Sequence, residues 1–187
     1  MKRKGLLASV VLFSVVGAAA AFTDAFKRIK ETLTGYEEVP AVSTEASGLF
    51  SGRIDKDGTS LDWTLSYSDL EGAVQQAHIH FGKKGTNGGI TVFLCTNLGN
   101  GPAGTQACPP PPATISGTIT AADVSPDIPA TASARAQGLG TGEFDEFLDA
   151  VRAKATYVNV HSTTFPGGEI RSQIDGNSGN HSGNGGH

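Results

Sequence analysis

Gln76-Ala77-His78-Ile79-His80-Phe81 alternates between polar and apolar residues, and an extended backbone sends successive side chains to opposite faces. Ala77, Ile79 and Phe81 therefore share an apolar face directed at a core, while Gln76, His78 and His80 share the other. Tyr157-Val158-Asn159-Val160-His161 repeats the pattern, with Val158 and Val160 toward the core and Tyr157, Asn159 and His161 opposite. Two strands of this kind point to a layered all-β domain with histidines on its non-core side.

Working outward, the body is rich in Gly, Thr, Val and Ile and poor in long helical periodicities, the composition of short strands between turns. A β-sandwich or barrel follows, with strands expected at 48–54, 61–67, 74–81, 90–94, 114–120, 156–161 and 169–174. Asp55-Lys56-Asp57-Gly58 and Phe165-Pro166-Gly167-Gly168 read as hairpin turns, since Asp-Gly and Gly-Gly supply positive φ. One stretch differs. Phe144, Phe147, Leu148 and Val151 fall at i, i+3, i+4 and i+7, which predicts a short peripheral helix over 144–153.

The first residues have the pattern of a secretion signal. Lys2, Arg3 and Lys4 precede an apolar run from Leu6 to Val16, and Ala19 and Ala21 suit cleavage after Ala21. The apolar run is short for a membrane span, so the mature chain is expected to have no membrane insertion. Removing three of the 14 basic residues, against 18 acidic ones, leaves a mature charge of about −7, which argues against nucleic acid or anionic lipid as partner. Residues 176–187 are Gly, Asn, Ser and His with Asp175 before them, a composition expected to stay disordered, with His181 and His187 as weak metal contacts at most. The domain thus spans 22–175, and the expected location is secreted, periplasmic or extracellular. In such a compartment Cys95 and Cys108 are expected to form a disulfide. Soft metal ligation by the thiols competes less well, because Pro109–Pro112 stiffen the chain directly after Cys108.

Residues two apart on a strand are roughly 7 Å apart along the chain, so His78 and His80 can converge on one ion. Should the strand bearing His161 lie alongside, the three histidines make a nitrogen set suited to copper or zinc. Pairing apolar faces across the Phe165–Gly168 turn sets His161 opposite Glu169 and Asn159 opposite Arg171. Glu169 is then a candidate ligand or a carboxylate orienting a ring, and Asn159 and Arg171, on the same face, are likewise groups that support the ligands or possible ligands themselves.

Leu33-Thr34-Gly35-Tyr36-Glu37-Glu38-Val39-Pro40, Thr44-Glu45-Ala46-Ser47-Gly48, Ala77-His78-Ile79-His80 with Gly82, Tyr157–His161 and Pro166-Gly167-Gly168-Glu169-Ile170-Arg171 together resemble the signature of the CHRD (chordin-type) domain family. The resemblance spans nearly the whole body, although Ser172 stands where the family usually has Gly. It implies an antiparallel β-sandwich, immunoglobulin-like or superoxide-dismutase-like, and binding rather than catalysis. With a single copy and no cysteine-rich modules, growth-factor binding does not carry over. Three functions remain in view: an exported metal-binding domain, a metal-free structural or protein-interaction module, and, by analogy with superoxide dismutase, a copper redox enzyme. The residues name neither a protein partner nor an oligomeric state.

Overall fold

The computed structural model describes residues 28–125 and 133–175. The expected signal segment and the Gly/Asn/Ser/His tail lie outside the described residues. Within them the chain runs β1 (Arg28–Thr34), β2 (Ser47–Ile54), β3 (Leu61–Ser68), β4 (Val74–Phe81), β5 (Gly89–Thr96), β6 (Ala113–Ile119), α1 (Phe144–Arg152), β7 (Thr156–Ser162) and β8 (Ile170–Ile174). All strand pairs are antiparallel, in the order β5-β4-β7-β8-β1-β2-β3-β6. The all-β class and the short helix are as expected. The eight strands form one continuous sheet, curled into a nearly closed barrel-like form around a single apolar core.

The sheet closes through side chains at its seam. Its two edges are β5 and β6, and Gln106, in the loop between them, donates from Nε2 to Leu94 O of β5 at 3.1 Å and to Ser116 O of β6 at 3.2 Å. The Gln106 carbonyl in turn accepts from Thr96 N at 3.0 Å. A loop amide therefore occupies edge groups that would otherwise invite a foreign strand. Cys95 and Cys108 are disulfide-bonded and buried, tying β5 to the segment that enters β6.

Both turns form where the sequence put them. Gly58 has φ of 73° and its N–H meets Asp55 O at 3.3 Å; Gly168 N meets Phe165 O at 3.1 Å. On α1, Phe144, Phe147, Leu148 and Val151 are all buried against the sheet's core. The strand that sequence reading missed is β1. Its inward row is Ile29, Glu31 and Leu33, and the carboxylate in the middle breaks the apolar alternation. Glu31 is tolerated because its Oε1 accepts from Asp175 N at 3.0 Å.

The inward sides of β4 and β7 supply Ala77, Ile79, Val158 and Val160 to the core. Their outward sides are covered too, by the segment between β1 and β2 and the loop between β4 and β5. Every residue of β7 is consequently buried.

The disulfide encloses 13 residues of separation, so its removal is expected to destabilise the fold by ~3 kcal/mol. Paired Cys95→Ser and Cys108→Ser substitutions, measured by denaturant unfolding, check this; an unchanged midpoint would show that the seam does not depend on the bond.

Candidate metal centre

β4 and β7 are neighbours, with Gln76 opposite His161, His78 opposite Asn159 and His80 opposite Tyr157. This register puts His78, His80 and His161 together above the outward face. One ligating atom from each lies within 4.8 Å of the other two. The rings are sealed from water, with exposures of 0 % for His78, 8 % for His80 and 5 % for His161.

Backbone carbonyls fix two of the rings. A carbonyl oxygen can only accept, so Nδ1 of His80 carries its proton toward Gly88 O at 2.9 Å and Nδ1 of His161 toward Pro166 O at 3.0 Å. In the neutral rings both Nε2 atoms are therefore bare. His80 Nε2 has no protein partner, and neither does His78 Nε2. His161 Nε2 lies 3.3 Å from His78 Nδ1 and 3.1 Å from Asn159 Oδ1. Around the cluster, Phe93 packs edge-on against His78 at 4.5 Å between centroids, and Tyr157 stacks flat on His80 at 4.7 Å.

Arg171, opposite Asn159 on β8, lies 3.4 Å from the centre of the Tyr157 ring. Its guanidinium donates to Thr86 O at 2.8 Å and Asn87 Oδ1 at 3.3 Å, holding the β4–β5 loop over the rings. Asn87 Nδ2 reaches Val39 O at 3.1 Å and Lys84 pairs with Glu37 at 2.9 Å, which joins that loop to the β1–β2 segment.

Glu169 is fully buried, but its Oε1 accepts from Thr44 Oγ1 at 2.9 Å and Glu71 N at 2.8 Å. It braces two loops, and the group that orients His161 is the Pro166 carbonyl. Glu38 is a residue that sequence reasoning passed over. It is buried with its Oε1 unpartnered, lies beside the Asn159 amide, and sits in the field of Arg171. Gly168, with φ of 129°, makes room for this approach: a Cβ there would strike the Glu38 carboxylate and stand 2.9 Å from Asn159 Nδ2. The signal available in the sequence was Gly168 itself, a position where a side chain would displace something polar.

Burial governs the protonation of the cluster. It depresses His80 to about 3, opposed by the Gly88 carbonyl and the Asn159 amide while His161 and Arg171 push the same way as burial, and His161 to about 4 against the Pro166 carbonyl. Burial, with repulsion from His161 and His80, holds His78 well below the ordinary value. The same cause raises Glu38 to about 7, against the pull of Arg171 and Asn159.

The chain belongs to the CHRD domain family: the model of that domain matches residues 29–174. No curated protein and no solved structure matches it.

In the metal-free protein these values set the direction of acid sensitivity. As pH falls below 6.5 the unfolded chain gains protons that the three folded rings refuse, so stability is lost progressively toward pH 4. Glu38 opposes this, because between 7 and 4.5 its folded form holds the extra proton; one carboxyl works against three imidazoles. Denaturant midpoints recorded from pH 7 to pH 4.5 should therefore decline, and a rise on acidification would rule out neutral buried rings.

Proposed function

We propose that this CHRD protein is an exported binding protein that holds one transition-metal ion, copper or zinc, through His78, His80 and His161. The observation that carries the reading is the meeting of His161 Nε2 with Asn159 Oδ1 at 3.1 Å. Both atoms are acceptors once His161 donates from Nδ1 to Pro166 O; a proton on His78 Nδ1, 3.3 Å from His161 Nε2, can serve only that one of them, and a positive group beside the pair would serve both. A proton on the ring is disfavoured by burial, which lowers His161 to about 4. A metal ion supplies the charge and takes up the bare Nε2 of His80 as well. Carbonyl partners on the far nitrogens of His80 and His161 are the kind of support that ligating imidazoles receive. The disulfide fits an oxidising compartment and hence export.

Nearly complete burial of the rings leaves a diffusing substrate little surface to approach, which favours holding an ion over redox turnover. A metal-free structural role is the second reading. It draws on the bonds from His80 to Gly88 O and from His161 to Pro166 O, which tie the β4–β5 loop and the Phe165–Gly168 turn in place.

The two readings separate in one experiment. Purified untagged protein exposed to zinc and to copper, then dialysed and analysed for metals, should retain one ion per chain, and His78→Ala should retain none. At a hundredfold excess of zinc over its Kd, unfolding should become harder by about 2.7 kcal/mol. Loss of stability in His78→Ala, with no metal held by the parent protein under either challenge, would leave the structural role.

A further inference from the structure

Asn159 faces the cluster with its oxygen rather than its nitrogen. The Asn159 Nδ2 end lies on the side of the Glu38 carboxylate, both of them beside the Gly168 position. That position, lacking a side chain, keeps the approach open. Oδ1 is turned the other way, toward His161 Nε2 at 3.1 Å. A positive species among the rings would be met by four donors, not three.

The spacings agree with one tetrahedral shell. Bonds of 2.0–2.1 Å from a zinc-like ion give a ligand-to-ligand edge of about 3.3–3.4 Å. His78 Nδ1 to His161 Nε2 measures 3.3 Å and His161 Nε2 to Asn159 Oδ1 measures 3.1 Å. A ligating atom of the third histidine lies within 4.8 Å of those of the other two, a spacing that would have to close to the same edge when the ion binds.

We propose that Asn159 Oδ1 is the fourth ligand of the ion, closing an N3O shell that leaves no position for water, and that Glu38 is the positioning residue that fixes the amide. This rests on the three-histidine reading. A closed shell of three imidazoles and a hard carbonyl oxygen selects a divalent ion over monovalent copper, which prefers softer donors. It also makes the centre one that retains its ion, in the manner of closed structural sites, instead of an open site that activates a bound water.

The test uses the full-length mature protein loaded with cobalt(II), which adopts zinc's geometry, and low-temperature electron paramagnetic resonance in water enriched in oxygen-17. The parent protein should show no oxygen-17 broadening. Asn159→Ala should show it, because water enters the vacated position, and zinc affinity should fall ten- to a hundredfold. Glu38→Ala should weaken zinc binding by a similar factor with all three histidines intact, and Glu38→Gln, which keeps an acceptor oxygen for Asn159, should restore most of it. Broadening in the parent protein would overturn the fourth-ligand proposal while leaving the histidine site standing. A parent protein that binds no cobalt or zinc would overturn both. Should Asn159→Ala fail to fold, the parent spectrum alone decides.

Discussion

Each imidazole in the cluster has one proton for two nitrogens, and burial removes the water that would otherwise serve the second. His80 and His161 commit their protons outward, to the carbonyls of Gly88 and Pro166. What remains inside is one proton, that of His78, among the bare Nε2 atoms of His80 and His161 and the other His78 nitrogen, in a space that excludes solvent. Unpartnered acceptors in such a place are costly, each by about 1–3 kcal/mol. A fold that gathers them either loses that stability or recovers it from an ion, and the outward layer of β4, β7 and β8 is organised around that choice.

That layer explains why the family motifs lie where they do along the chain. Glu38 comes from the segment after β1, Thr44 from the approach to β2, His78 and His80 from β4, Asn159 and His161 from β7, and Gly168, Glu169 and Arg171 from the last hairpin. They are far apart in sequence and meet on one side of the sheet. Glu169 joins Thr44 to Glu71, Arg171 holds the β4–β5 loop, and Glu38 lies beside Asn159 at the Gly168 position. The barrel's core needs none of these groups, since its apolar residues face the opposite way. Polar residues buried at this density and paired this specifically are a framework for the rings.

Strand alternation made the three histidines legible, because one face of each strand had to be apolar and the register of the last hairpin allowed no slip. The pairing of Asn159 with Arg171 followed from the same rule. Where the chain leaves regular structure the rule fails. Glu38 belongs to a loop without periodicity, and its burial comes from tertiary folding of that loop onto β7. Glu169 sits at the predicted end of the hairpin, yet the direction of its side chain is set by donors on two other loops. The strand β1 was hidden by Glu31, an inward charge satisfied by Asp175, more than a hundred residues away. Closure of one sheet across its seam depends on Gln106, a loop residue whose role no pattern announces.

Nitrogen-15 NMR of the histidine side chains tests the central claim most directly. At neutral pH the metal-free protein should show His80 and His161 as neutral rings with the proton on Nδ1, and one equivalent of zinc should move both Nε2 resonances to the metal-bound range. Imidazolium signals, protons on Nε2, or resonances that ignore the added zinc would contradict the account.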